Sequence, residues 1–520
     1  MQIHFIGIGG IGISALAQYY LKTGHQVSGS DLASSETTDL LKKFGAKIVI
    51  GPHKAGNLPK EVNLVIYSPA IQITNPELKQ AYKIQDIPIS SRILDKVGTR
   101  YKIQIMSYPQ AVGELTKKYF TIAISGSHGK STTTALISVI LMKAGLDPTV
   151  IIGTKLKEFG NSNFRFGSVP ASIGVLNRRK SASIASRSRK TPTVTPSYAE
   201  KLSNKGILVI EADEYKSSFL NYWPKIIVLT NLEYEHPDYF ENFRHYLRVF
   251  KEYIKHLEFS KNINGTRTVL VPLKDGVLVA NKDDRNVTNM TRRLQSVTKY
   301  YSIKQPEANK LRKTLKIPGE HNISNALAAL TVARTLKIPD KVSFKALSEY
   351  RGAWRRFEGK EYKIPDTPHQ NKFGTGQARY KIRIISDYAH HPTQVRATIA
   401  AAREEYPKRK IWAVFQPHQY LRTYYLFKDY IQAFDEADEV VLTEIYAVSG
   451  RENKEIMRKL SSKDLVLAIQ KRFKRIGEKV QVHFLKDYRD APAFLKSRVK
   501  NSDVVIVMGA GDIYKIISNF

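Results

Sequence analysis

The 520-residue chain contains no cysteine, which rules out disulfides and thiolate metal sites and fits a reducing, cytoplasmic compartment. It also lacks any run of about 18 or more apolar residues, so no membrane-spanning helix and no membrane partner are expected. The opening MQIHFIGIGG has no basic residues ahead of its apolar stretch, so a secretory leader is not expected either. Acidic residues are few: 47 Asp and Glu face 82 Lys and Arg, a formal charge of +35. A basic balance of this size can serve nucleic-acid binding. Yet zinc-finger spacing, an aromatic RNA-binding strand and a helix-turn-helix are all missing, so the charge reads as solvated surface and no nucleic-acid partner is expected. The one stretch that could hold such a partner is 177–205, rich in Ser, Thr, Arg and Lys, which reads as a flexible basic insertion.

At about 100 to 200 residues per domain, the length suggests three domains. The first 95 or so residues alternate β-rich runs with helical segments, beginning with Ile3 to Ile6, a glycine turn and a helix to about Lys22. That order predicts a doubly wound α/β unit. A second unit begins with the apolar run Tyr119 to Ser125 and continues through Gly206 to Ile210 and Ile226 to Thr230. A third starts near Arg351, with strands expected at Ile382 to Ser386, Ile411 to Phe415, Val440 to Thr443, Val480 to Phe484 and Val504 to Met508. Lys363 to Ala378, with its Pro, Gly, Asn and Gln, reads as a loop. The boundaries are drawn at 1–98, 99–349 and 350–520.

Three motifs carry chemistry. Gly7-Ile8-Gly9-Gly10-Ile11-Gly12 joins the first strand to the first helix, and Asp31 follows the second strand. Such a turn lets backbone amides approach a diphosphate, and on spacing alone it fits NAD as well as any other nucleotide. Ser125-Gly126-Ser127-His128-Gly129-Lys130-Ser131 again follows an apolar strand and opens a helix. Lys130 can neutralise terminal phosphates and the Ser131 hydroxyl can hold Mg²⁺, although a strict P-loop would need glycine at Ile124. Glu211-Ala212-Asp213-Glu214 ends one strand and Thr230-Asn231-Leu232-Glu233-Tyr234-Glu235-His236 ends the next. Carboxylates at the carboxyl edge of a parallel sheet sit where ligands bind, and Glu211 is the expected metal ligand. A dehydrogenase would leave Lys130, Glu211 and His236 without work, so an NAD-dependent oxidoreductase is the reading set aside.

With these motifs placed, the chain resembles the Mur ligase family over nearly its whole length. The resemblance rests on HFIGIGGIGISALA from His4, SGSD from Ser28, NPEL from Asn75, SGSHGKSTTT from Ser125, EADE from Glu211 and TNLEYEH from Thr230. It continues in GEHNISNALAA from Gly319, WRRFE from Trp354, DYAHHPT from Asp387, FQPHQYLRT from Phe415 and GAGD from Gly509. It implies an α/β protein of three domains: an N-terminal Rossmann-like domain for a UDP-sugar, a central P-loop-type ATPase sheet and a C-terminal Rossmann-like domain. The implied activity is ATP-dependent ligation of L-alanine to the carboxylate of UDP-N-acetylmuramate through an acyl phosphate, in peptidoglycan precursor synthesis, by a monomer or homodimer.

Carried over by motif, Lys130, Glu211 and His236 are the catalytic candidates, and Ser131, Glu211 and His236 the Mg²⁺ ligands. ATP would be met by Gly126, Ser127, His128, Gly129, Lys130, Ser131, Thr132, Asn231, His321, Asn322, Asn325, Arg356 and Asp387. The UDP-sugar would be met by Gly7, Gly9, Gly10, Ile11, Gly12, Asp31, Asn163 and Arg165. The incoming amino acid would be met by Tyr388, His390, His418 and Arg422. This sequence departs from the family pattern at Ser127 and Ser131, where threonine is usual, and at Glu235, where aspartate is usual. It departs further at Gln419 and Leu421, where arginine and serine are common. Tyr215 after the acidic motif also resembles the related ligase that attaches recycled tripeptide to the same UDP-sugar, and that amine is the alternative reading.

Overall fold

Aliphatic runs capped by glycine or polar turns form three main sheets, taken in chain order. This computed structural model describes residues 1–86, 103–168, 206–257, 259–264, 267–272, 276–292, 294, 297–365, 379–448 and 450–520. The 177–205 insertion lies outside the described residues, as does 366–378.

The first sheet contains β1 (Gln2–Ile6), β2 (Gln26–Asp31), β3 (Lys47–Ile50), β4 (Leu64–Tyr67) and β5 (Gln104–Ser107), all parallel in the order β3-β2-β1-β4-β5. The chain reverses its direction of travel across this sheet between β1 and β4, which places the glycine turn after β1 at the switch point where doubly wound folds bind ligands. Because β5 completes this sheet, the first unit's strands run past the expected limit at residue 98.

The second sheet is built from β6 (Phe120–Ser125), β7 (Thr149–Leu156), β8 (Ser162–Arg165), β9 (Ile207–Glu211) and β10 (Ile226–Leu229), joined by β13 (Val277–Asn281) and β14 (Val297–Tyr301). A separate antiparallel pair, β11 (Phe259–Asn264) and β12 (Arg267–Pro272), lies between them in sequence. The order β14-β13-β10-β6-β9-β7-β8 puts β6 between β9 and β10, all three parallel. Their carboxyl ends carry the phosphate loop, the acidic motif and the Thr230 to His236 rim, so the topology alone brings these three segments together. Every residue of β10 is buried, and the helix Lys130–Lys143 is buried along Ser131 to Leu141, flanked by the helices Glu320–Thr335 and Asp340–Glu349. Each such aliphatic side chain contributes about 1.5–3 kcal/mol by burial, which fixes the base of the loop rigidly.

The third sheet contains β15 (Glu358–Pro365), β16 (Arg379–Asp387), β17 (Ile411–Phe415), β18 (Glu439–Thr443), β19 (Gln481–Leu485) and β20 (Val504–Met508), ordered β15-β16-β20-β17-β18-β19. All pairings are parallel except β15 with β16. The expectation of a loop from Lys363 needs correction, since Lys363 to Pro365 pair with Lys381 to Arg379 as the end of an edge strand. β15 carries exposed charged residues that satisfy no apolar period, so its pairing with β16 leaves little trace in the sequence.

Candidate active site

The phosphate loop is shaped by two glycines in the left-handed region, Gly126 at φ 125° and Gly129 at φ 82°. A Cβ on Gly126 would run into Thr230 Oγ1, and one on Gly129 into Asn325 Oδ1, so glycine is required twice over. Asn231 braces the loop from the neighbouring strand: its Oδ1 accepts from the His128 amide at 2.9 Å and its Nδ2 donates to the His128 carbonyl at 3.1 Å. Ser127 Oγ donates to the Glu233 carbonyl at 2.8 Å.

Lys130 Nζ donates to the Gly126 carbonyl at 2.6 Å and to Glu214 Oε2 at 2.9 Å. Burial works against the ammonium, but Glu214, itself 1% exposed, more than offsets it and the Lys130 pKa is raised. Glu214 is correspondingly lowered, burial being overcome by Lys130 and His236. His236 Nε2 lies 3.5 Å from Glu214 Oε1. Its buried Nδ1 has no hydrogen-bond partner among the described residues, and its backbone sits at φ 56°. Glu211 Oε1 accepts from the Gly153 amide at 2.7 Å, and burial raises its pKa although the Ser131 hydroxyl and Arg356 favour its charge. Glu214 thus stands where sequence reading had emphasised only Glu211. Its signal was present in the acidic motif, but its partner Lys130 lies 84 positions away.

A cleft of about 250 Å³ opens over this loop, and the second and third domains both line it. Gly129, Ser131, Thr132 and Asn231 form one wall with His321, Asn322 and Asn325; Arg356 and Asp387 form the other. Asn325 Oδ1 accepts from Thr133 Oγ1 at 3.2 Å and Asn322 Nδ2 donates to the Pro318 carbonyl at 2.7 Å. His321 stands on the solvent-exposed side of this wall. Arg356 crosses between domains to donate to Ser131 Oγ at 3.0 Å. Asp387 is fixed by the Phe357 and Ala389 amides at 2.7 and 2.8 Å.

The third domain brings a second polar cluster to the same rim. Arg422 and Glu235 form an ion pair at 3.2 Å, each 3% exposed. Burial opposes the Glu235 charge, but Arg422 and the surrounding imidazoles hold its carboxyl well below the usual range. His418 Nδ1 lies 3.0 Å from Arg422 Nη1, and His390 Nε2 lies 4.0 Å from Glu235 Oε1. Burial lowers both imidazoles, His418 to about 3. The Tyr388 ring lies 4.9 and 5.0 Å from the Arg355 and Arg356 guanidiniums. All four residues expected at the amino acid therefore gather around Glu235 or Arg356. Glu235, which pairs with Arg422 and His390, comes from the opposite domain and was missed as a site residue, as was its neighbour Glu233, which pairs with His128 and His391.

At the first sheet, Gly7 is at φ 78° and the Gly9 amide donates to Asp31 Oδ2 at 2.7 Å. Gly10 and the exposed Ile11 complete the turn, and a Cβ on Gly12 would lie 2.9 Å from the Tyr108 hydroxyl. Burial raises the Tyr108 phenol, with the charges of Glu211 and Asp213 adding to the effect. Asn163 Nδ2 donates to the Ile11 carbonyl and to Ser14 Oγ, which joins β8 to the turn. Arg165 is not brought there: its guanidinium is held by Asp147 Oδ1 at 2.6 Å and the Pro148 carbonyl at 2.5 Å.

Three family models match in succession: "Mur ligase family, catalytic domain" over residues 2–96, "Mur ligase middle domain" over 124–333 and "Mur ligase, glutamate ligase domain" over 375–511. The UDP-N-acetylmuramate--L-alanine ligase of Caldanaerobacter subterraneus subsp. tengcongensis is 33% identical over 543 aligned positions, covering 100% of this chain and 97% of that protein. That of Aquifex aeolicus is 32% identical, with 100% and 97% covered. Among solved structures, the UDP-N-acetylmuramate-alanine ligase of Thermotoga maritima superposes with a TM-score of 0.66 at 24% identity, covering 100% and 98% of the two chains. A murein peptide ligase from Psychrobacter arcticus gives 0.60 at 20% identity, with the same coverage.

Proposed function

The chain belongs to the Mur ligase family, and from that premise we infer that it joins L-alanine to the carboxylate of UDP-N-acetylmuramate in an ATP-dependent, ADP-forming step of peptidoglycan precursor synthesis. The observation that carries the reading is 33% identity along the whole chain to a ligase of that name. The cleft supports it, because a phosphate loop, two carboxylate-bearing strand ends and a second domain's arginine converge there.

The assignment of residues follows from what each can do. The glycine turn at Gly7 to Gly12 offers amide donors to the UDP diphosphate. Lys130 grips the terminal phosphates of ATP; Glu214 keeps its ammonium charged and aimed at the loop before nucleotide arrives. Arg356 approaches the same phosphates from the third domain, while Asn322, Asn325 and His321 line the side where adenine fits. The donor set Ser131, Glu211 and His236, with Glu214 beside it, is one hydroxyl, carboxylate oxygens and an imidazole whose buried Nδ1 has no partner among the described residues, which suits Mg²⁺. That cation would offset the repulsion between nucleotide and carboxylate as phosphate is transferred.

Attack of the muramate carboxylate oxygen on the terminal phosphorus gives an acyl phosphate and ADP. The alanine amine then attacks the acyl carbon, an amide forms and phosphate departs. Tyr388, His390, His418 and Arg422 are assigned to the amine side, where His390 Nε2, its Nδ1 donating to the Tyr388 carbonyl, can accept a hydrogen bond from an ammonium. Contacts such as Arg356 to Ser131 hold the third domain over the cleft, which keeps water from the acyl phosphate. The cytoplasm is the assigned compartment, where ATP is plentiful; among the described residues no helix is long and apolar enough to cross a membrane.

The test uses UDP-N-acetylmuramate with an ¹⁸O-labelled carboxylate, ATP and L-alanine. UDP-N-acetylmuramoyl-L-alanine should form with one ¹⁸O carried into each inorganic phosphate released. Product without label in phosphate would overturn the acyl phosphate, and no product would overturn the activity.

A further inference from the structure

Beside the phosphate loop lies a second group of possible metal ligands that the reaction above does not use. His128, Glu235 and His391 are buried and each offers one ligand atom, all within 4.8 Å of one another. His128 and Glu235 come from the second domain, one from the loop after β6 and one from the segment after β10; His391 comes from the turn after β16 in the third.

The arrangement around them selects which atoms face inward. Glu233 Oε2 lies 3.1 Å from His128 Nε2 and 3.4 Å from His391 Nδ1, and His391 Nδ1 accepts from the Thr393 amide at 3.3 Å, so the outer nitrogens of both rings are engaged. The inner nitrogens remain. His128 Nδ1 lies 4.0 Å from Glu235 Oε1, and His391 Nε2 is buried without a hydrogen-bond partner among the described residues, in a residue only 4% exposed. Glu235 turns its other oxygen, Oε2, to Arg422, which leaves Oε1 facing His128 Nδ1 and His390 Nε2, each 4.0 Å away. A carboxylate behind metal-binding imidazoles is the usual second layer of a zinc site, where it fixes ring orientation and raises ligand basicity. Because His391 Nδ1 accepts the Thr393 amide hydrogen, the neutral ring carries its proton on Nε2, and a cation bound there displaces that proton to solvent.

We propose that His128, Glu235 and His391 form a cross-domain binding site for a borderline-soft divalent cation, Zn²⁺ being the best match. Two imidazoles and one carboxylate suit zinc far better than Mg²⁺, which prefers oxygen. Tetrahedral ligands at about 2.0–2.1 Å from zinc lie about 3.4 Å apart, so the three side chains must close in by little more than 1 Å. The Gln394 amide, now 2.8 Å from His128 Nδ1, must swing aside. Because the ligands come from both domains and one is in the phosphate loop, bound zinc fixes the closed arrangement and slows turnover.

The test uses the full-length protein, stripped with chelator and then dialysed against micromolar Zn²⁺ in a millimolar excess of Mg²⁺. Metal content and calorimetry are read for the wild type, His391→Asn and His236→Asn, and wild-type crystals are soaked in Zn²⁺ for anomalous scattering at the zinc edge. Wild type and His236→Asn should each retain a single equivalent, and His391→Asn should bind at least about tenfold more weakly. The anomalous peak should lie within bonding distance of all three side chains. Failure of the wild type to retain zinc, equal retention by His391→Asn, or a peak instead among Asp213, Glu214 and His236 would each overturn the proposal. The crystal measurement stands even where His391→Asn fails to fold.

Discussion

Replacing Lys130 with methionine separates the two jobs assigned to that residue, holding Glu214 and gripping phosphate. Methionine keeps much of the stem's volume but removes the donors to the Gly126 carbonyl and to both Glu214 oxygens at 2.9 and 3.2 Å. Glu214 is then a carboxylate only 1% exposed, with His236 at 3.5 Å as its remaining ion-pair partner. Breaking a buried pair from one side costs about 3–5 kcal/mol, and the 17% exposure of the Lys130 side chain argues for the lower end, about 3 kcal/mol. At about 2–4 °C per kcal/mol, the thermal midpoint should fall by roughly 6–12 °C. The double variant Lys130→Met with Glu214→Gln removes the stranded charge and should recover most of that loss. Its turnover should stay as low as that of the single variant, down by about 10²–10³-fold, because the phosphate's cation is still missing. Differential scanning calorimetry and steady-state ADP release read the two effects separately. A single variant as stable as wild type, or a double variant that regains turnover, would refute the reasoning.

Other consequences follow from individual contacts. Gly129→Ala places a methyl group against Asn325 Oδ1 at a positive φ and should abolish nucleotide binding in calorimetry while the chain stays folded; wild-type affinity would contradict the loop geometry. In the first domain, Glu77 is fully buried and accepts from His4, His53, Ser30 and Asn57 at 2.7–2.9 Å. Burial opposes its charge, but the hydrogen bonds lower it to about 2 from the ordinary 4.5. A lowered carboxylate stabilises above its unfolded value and loses that contribution as pH falls through the folded one. The stability gap between wild type and Glu77→Gln should therefore be full above pH 4.5 and close as pH approaches 2; a constant gap would point to packing instead. Arg451 pairs with Asp238 at 2.6 Å across the domains, with its guanidinium 4.1 Å from the Tyr215 ring. Arg451→Ala should loosen closure, seen as a larger radius of gyration in solution scattering and a several-fold lower kcat; unchanged scattering would remove that role.

What was legible in the sequence is what lies close together along it. The phosphate loop, Glu211 and the Thr230 to His236 rim each follow an apolar strand, so their place at a sheet's carboxyl edge could be read from local pattern. Their convergence on one rim could be expected from the carboxyl-edge rule for parallel sheets, but the strand order that achieves it, β9 and β10 flanking β6, is not written in local pattern. The cross-domain pairs were not legible at all: Arg422 and Glu235 are separated by 187 positions, and Gln394 and His128 by 266. No periodicity records such partners. Arg165 was placed near the sugar nucleotide by motif, and its pairing with Asp147, 18 positions away, left no trace in local pattern. β15 stayed hidden because an edge strand with exposed charges has the composition of a loop.

The amine is where the account is most exposed, since Gln419 and Leu421 replace the residues common in the family. Gln419 is 1% exposed at φ 69°, and its Nε2 has no partner among the described residues. Phosphate release measured with UDP-N-acetylmuramate and ATP, offering L-alanine or the murein tripeptide in parallel, decides the matter directly. Alanine-dependent release that exceeds release with tripeptide, and that ceases when the UDP-sugar is withheld, is the predicted result. Release that depends on tripeptide and not on alanine would contradict it.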